Sequence, residues 1–229
     1  MHPHPRHSSI LLCGLLLITG CSTLPHSASL NSEAGEETYK ANRGRLGTVL
    51  LDINWGRRWG CGGFDHAELR GLGFDRQPSP GRPAEAEADV VFEGPSSLVL
   101  RPAFQSYALL LQPGTYALSS VTIKAAKGKE PVVARMTRAQ LEQDDAPGGG
   151  GKGGKGGSFR VAASETVYIG NFALDCSQEP ILWRYFTQGR EHFQQHLTEY
   201  RRKYPFLKLD DVQYRLFDTK VFGKPYQLP

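Results

Sequence analysis

Four groups of residues in this chain have the types and spacing to do chemistry. His192 and His196 lie four apart in "REHFQQHLTEY". On a helix both imidazoles project to one side, a workable spacing for two metal ligands. A zinc-peptidase helix carries Glu directly after its first His. Here Phe193 holds that place, Glu191 precedes the pair, and no third ligand is evident. The pair is therefore either a weak metal candidate or two surface histidines. The second group is "FDHAEL". Asp65, His66 and Glu68 near Cys61 are an acid, a base and an acid, enough for general acid–base work or for a polar loop. No G-x-S-x-G elbow accompanies them. The third is "NWGRRW", where Trp55 and Trp59 bracket Arg57 and Arg58. Aromatics beside arginines suit a sugar platform or a protein interface; otherwise they are core tryptophans with exposed arginines between.

The fourth group is "APGGGGKGGKGGSF", Ala146 to Phe159. A phosphate-binding loop reads G-x-x-x-x-G-K-[ST] between a strand and a helix. The best alignment runs Gly149, Gly154, Lys155 and then Gly156, so the Mg²⁺-binding hydroxyl is missing. "QLEQDDAP" before it is polar, and "SFRVAAS" after it has a strand pattern. The tract is expected to be a disordered loop over 142–157, with Lys152 and Lys155 open to a loose contact with anionic lipid or glycan. Neither a nucleotide nor any other cofactor is expected.

The elements that must position these residues are mostly strands. "LGTVLLDINW" is β-branched and aliphatic, and "AELRGLGF" is a second, more exposed strand. "DRQPSPGRPAEAEAD" is a Pro- and Ala-rich surface loop. "DVVFEG" and "SLVLRP" are short apolar runs. In "SYALLLQPGTYALSSVTIKAA", two strand segments flank Pro113-Gly114, a pair that fits the middle of a type II turn and predicts a hairpin. "PVVARM" and "ILWRYF" read as strands. In "SETVYIGNFALDC", Val167 and Ile169 have one parity and Phe172 and Leu174 the other. A bulge at Gly170-Asn171 would bring both pairs to one core. A single helix is predicted over 188–204, with an apolar stripe of Phe193, Leu197, Tyr200 and Tyr204, basic residues in its last turn, and Pro205 beyond. "VQYRLFDT" is a final strand. Many short strands and one late helix predict an antiparallel β-sandwich with the helix packed on it.

The start of the chain carries a different signal. Ile10 to Ile18 is apolar apart from Gly14, too short to span a bilayer, and ends in Ile18-Thr19-Gly20-Cys21. These residues resemble the lipobox of bacterial lipoproteins. The resemblance implies cleavage after residue 20 and lipidation of Cys21, whose thiol forms the thioether. Several acyl chains at ~0.8 kcal/mol per buried methylene give stable attachment. Ser22 after the cysteine resembles the pattern sorted to the outer membrane, facing the periplasm. Removing residues 1–20 takes one Arg and no acid, so the net charge falls from +4 to +3, too mild for a dedicated nucleic-acid binder. Residues 21–45, poor in large apolar groups, read as a flexible lipidated tether spanning at most roughly 80 Å. The folded domain is then 46–229. Of four cysteines, Cys13 lies in the leader and Cys21 is lipidated. Cys61 and Cys176 remain as an even pair in an oxidising compartment, expected to form a disulfide. A catalytic or metal-binding thiol is the alternative.

"LLLQPGTYALSSV" followed by "FRVAASETVYIGNFAL" also resembles uncharacterised envelope lipoproteins with a transthyretin-like, or prealbumin-like, sandwich. The likeness covers about Ser106 to Cys176 and is interrupted by the Gly/Lys tract. It implies fold and compartment, not activity. The chain is expected to be a non-catalytic envelope lipoprotein that binds another envelope component, a protein or peptidoglycan. The alternative is a metal-dependent or acid–base hydrolase acting on cell-wall material.

Overall fold

The computed structural model describes residues 34–78, 81–83, 86–95, 104–137, 157–177, 180–185, 189–215 and 217. The lipobox with Cys21, Ser22, the "SLVLRP" run and nearly all of the Gly/Lys tract lie outside them.

The described residues form two sheets and two helices. One sheet has five strands: β1 (Gly47–Asn54), β5 (Phe104–Leu111), β9 (Thr166–Asp175), β10 (Ile181–Tyr185) and β11 (Val212–Tyr214). The other has six: β2 (Arg58–Cys61), β3 (Phe64–Gln77), β4 (Val90–Glu93), β6 (Gly114–Lys127), β7 (Glu130–Met136) and β8 (Ser158–Val161). Helix α1 is Glu36–Asn42 and α2 is Gly189–Lys203.

Strand β1 explains the layering. All eight of its residues are buried, as a strand covered on both faces requires. Val49, Leu51 and Ile53 face the six-stranded sheet, where Phe74, Phe159, Phe172 and Phe217 meet mostly edge to face. Leu50 faces the other way, with Ala108, Leu110 and Tyr168, onto Phe193, Leu197, Tyr200 and Tyr204 of the α2 region. The molecule is a β-sandwich with a helical third layer.

Several expectations change. The expected tether is too long at its C-terminal end. The described fold begins at Ala34, whose N–H donates to the Ala108 carbonyl at 2.8 Å, and α1 buries Tyr39 against Phe206. Tyr39 is the one Phe, Tyr or Trp in the 21–45 stretch. The sandwich is also not wholly antiparallel, because β1 and β11 both pair with β9 in parallel. Strand β3 runs on through Asp75 to Gln77, two of its flanks covered by β4 and β6, and is largely buried rather than exposed.

The Pro113-Gly114 segment is not a hairpin. Strand β5 pairs with β1, whereas β6 pairs with β3, so the chain crosses from one sheet to the other. Side chains hold this corner. The Tyr116 hydroxyl donates to the Gln112 carbonyl at 2.9 Å, in the manner of a tyrosine corner. Arg76 donates to Gln112 Oε1 and to the Pro113 carbonyl at 2.8 and 2.7 Å. Any Cβ on residue 114 would sit 2.8 Å from Arg76 Nε, so glycine there makes room for the guanidinium stem. The bulge expected near Gly170 is present: Leu50 pairs with Tyr168 but Asp52 with Asn171, and Gly170 has φ 109°. Val167, Ile169, Phe172 and Leu174 all reach the inter-sheet core.

Strands β7 and β8 lie end to end along the same side of β6. Met136 pairs with Val121, and Ser158 with Ala117. Strand β7 therefore ends, and β8 begins, at neighbouring positions along one side of β6.

Candidate functional site

The two tryptophans of "NWGRRW" part company. Trp55 is 2% exposed, and its indole N–H donates to the Tyr107 hydroxyl at 2.7 Å, a core residue with a satisfied polar end. Trp59 is 62% exposed on β2. Arg58 follows the strand alternation to the opposite face, opposite Ala67. Its charge adds to the pull on Asp175, which the Ser177 hydroxyl and N–H hold below the ordinary carboxylate range. Arg57 stays with Trp59. Its guanidinium lies 5.2 Å over the indole, while its Nε donates to Glu68 Oε1 at 2.5 Å. Glu68 is buried, with Arg70 at 3.6 Å on its other oxygen.

The acid–His–acid group does not converge. "FDHAEL" is strand, so Asp65 points away from His66 and Glu68. Asp65 accepts the Gly128 N–H of the β6–β7 turn at 2.6 Å. The His66 ring lies 5.4 Å from that of Trp59. Asp65 is thus tied to the β6–β7 turn, and Glu68 to Arg57 and Arg70.

Register places these residues in rows across the outer face of the six-stranded sheet. Trp59, His66, Ala126 and Pro131 are directly opposite one another on β2, β3, β6 and β7. The next row holds Glu68, Lys124 and Val133, and a third holds Glu93, Gly71, Thr122 and Arg135. Because Gly71 has no side chain, the third row opens into a groove of about 310 Å³ lined by Arg70, Ser120, Thr122, Glu93 and Arg135 among others. Lys124 and Arg135 make no ion pair or hydrogen bond among the described residues. Sequence reasoning missed Arg70, Gly71, Lys124 and Arg135, because their rows exist only once four strands are in register.

The two histidines of α2 also separate. His192 is exposed. His196 turns inward, its Nε2 2.7 Å from Asp52 Oδ2 and its ring edge-on to Tyr168 and Tyr200. The Tyr200 hydroxyl donates to the same oxygen at 3.1 Å. Burial, and then the Asp52 charge, push the Tyr168 and Tyr200 hydroxyls well above their ordinary pKa. Asp52 Oδ1 is buried with no partner among the described residues. No group of three or more His, Cys, Asp or Glu among the described residues is placed to hold a metal ion. The groove of about 510 Å³ beside α2 is lined by Phe193, Leu197, Asp210 and Tyr214 among others, not by His192 or His196. Asp52 was legible only as one acid in an apolar strand.

Cys61 and Cys176 form a disulfide, with Cα atoms 4.5 Å apart. It ties the β2–β3 hairpin of one sheet to the end of β9 in the other, two residues from Trp59. No protein-family model, curated protein or solved structure matches this chain.

Proposed function

We propose that this chain is a lipid-anchored, non-catalytic binding module of the bacterial cell envelope, held by Cys21 in the outer membrane and facing the periplasm. The lipobox residues Ile18 to Cys21 and Ser22 support the anchor. The disulfide suits an oxidising compartment. The two-sheet fold, with its "PGTY" crossing and "ETVYIG" strand, favours a transthyretin-like sandwich. The binding partner is an envelope component, a protein or peptidoglycan.

One observation carries the reading: Trp59, a large aromatic, is held open to solvent. A cation above its ring and a disulfide two residues away keep the indole presented. Exposed aromatics with fixed geometry bind at low entropic cost. The two acids of "FDHAEL" that could have served hydrolysis, Glu68 and Asp65, are instead committed to Arg57 and to the Gly128 N–H.

The test has two parts. Mass measurement of the membrane-extracted chain should find lipid on Cys21, and C21S should leave the membrane fraction. A photo-crosslinking residue at position 59 should capture an envelope component in living cells, and one at buried position 55 should not. Equal capture from both, or an unlipidated soluble chain, overturns the reading.

A further inference from the structure

We infer that the outer face of the six-stranded sheet binds an anionic saccharide chain, with pyranose rings on the Trp59 row and acidic substituents at the groove beside Arg135. The inference rests on the binding-module reading above and specifies its ligand.

The shape of the face argues for a saccharide. The row of Trp59, His66, Ala126 and Pro131 crosses four strands, so it is about 14 Å long at sheet spacing and one residue wide. A pyranose ring offers one apolar C–H face, which fits an indole, and a polar rim, which needs donors and acceptors alongside. The adjoining row supplies a donor through the exposed Lys124. A stable protein partner needs ~800 Å² on each side around an apolar centre, and here Glu68 and Lys124 stand in the adjoining row between the β2 edge and the exposed Val133. His66 lies beside the indole, and the small side chains of Ala126 and Pro131 continue the row beyond it.

The charge of the face argues for an anion. Arg57, Arg70, Lys124 and Arg135 stand against two carboxylates, Glu68 and Glu93. Arg57 and Arg70 are engaged with Glu68, while Lys124 and Arg135 have no partner among the described residues. The groove at Gly71 adds the side chains of Ser120 and Thr122 as neutral hydrogen-bonding groups. With one ring seated on Trp59, the carboxylate or phosphate that meets these cations is carried by a sugar further along the chain, because Ala126 and Thr122 set the two rows four residues, about 13 Å, apart.

The full-length lipidated protein in detergent micelles should be titrated with a short oligogalacturonate and with a neutral oligosaccharide of equal length. Calorimetry and tryptophan emission give the readout. The uronate should bind at least tenfold more tightly than the neutral chain, and the difference should shrink with added salt. W59A should weaken binding of both at least tenfold. G71Q should remove only the preference for charge, because a Cβ there meets Thr122 at an ordinary 3.5 Å and the rest of the side chain fills the groove. Competition by solubilised peptidoglycan and by lipopolysaccharide separates the two natural sources of such chains. Undiminished binding by W59A overturns the inference, as does failure of the uronate and both natural glycans to bind. If no glycan binds but the crosslinker at 59 captures a protein, the saccharide assignment falls and the binding face stands. If neither occurs, both fall.

Discussion

Asp52 on β1 and His196 on α2 meet at 2.7 Å across 144 residues of sequence. The Asp52 carboxylate thereby joins the helical layer to the centre of the sandwich, and the Tyr200 hydroxyl donates to the same oxygen. Removing it strands a fully buried phenol donor. D52A should therefore cost about 1–3 kcal/mol. The D52A/Y200F double variant should lose less than the sum of its parts, because the two share one interaction. Urea unfolding of the four proteins checks this; additive losses would mean that the cluster is not coupled.

Glu165 and Arg215 give an acid-side prediction. Hydrogen bonds from Arg215, chiefly, and from the Ala162 N–H hold the Glu165 carboxylate below its ordinary value of 4.5. A lowered folded-state pKa contributes stability above the unfolded value and loses it as pH falls through the folded one. E165Q should be less stable than the parent at about pH 7, and the gap should narrow at about pH 3. Denaturant midpoints at the two pH values measure it, and a gap independent of pH refutes it.

Tyr116 behaves oppositely. Burial pushes its hydroxyl up to about 12, so the folded state holds the proton more tightly than the unfolded chain does. That contribution is complete below the ordinary value of 10.0 and is lost as pH rises through the folded value. Y116F should cost about 1 kcal/mol at neutral pH through the lost bond to the Gln112 carbonyl. Between those two values, its stability should fall less steeply than the parent's.

The disulfide closes a span of 115 residues, worth up to about 5 kcal/mol on the chain-entropy model. C61S/C176S should unfold at clearly lower denaturant. Because Trp59 lies on the tied hairpin, the variant should also show greater amide exchange across β2. Unchanged exchange there would mean that the hairpin is held by other contacts.

Because β7 and β8 are collinear on β6, the tract between them is not needed to reach a distant partner strand. Replacing residues 148–156 with a short Gly/Ser linker, and keeping Gly157, whose carbonyl accepts the Leu118 N–H at 3.0 Å, should leave the melting temperature nearly unchanged. A large drop would show that the tract packs on the fold.

Pro113-Gly114 has the chemistry of a hairpin turn, yet Arg76 and Tyr116 brace it as a crossing between sheets. Both side chains come from strands whose partners no local pattern names. His192 and His196 looked equivalent at helical spacing; only the docked helix, with Asp52 beneath one of them, separates their roles. Of the "NWGRRW" residues, alternation alone could not say which tryptophan faces the core.

What the sequence determined by itself is what short stretches encode. Apolar and β-branched runs bounded by turn residues marked most strands, an apolar stripe marked α2, and opposite parities around Gly170 pointed to a bulge. These depend on side chains within a few residues of one another. The tertiary structure decided which strands are neighbours, and therefore which side chains share a face. Trp59 and Arg135 belong to one surface because β2, β3, β6 and β7 lie in register, and Asp52 meets His196 because two cores share β1. Such pairings follow from burying apolar area across the whole chain, a collective free energy that no single segment carries.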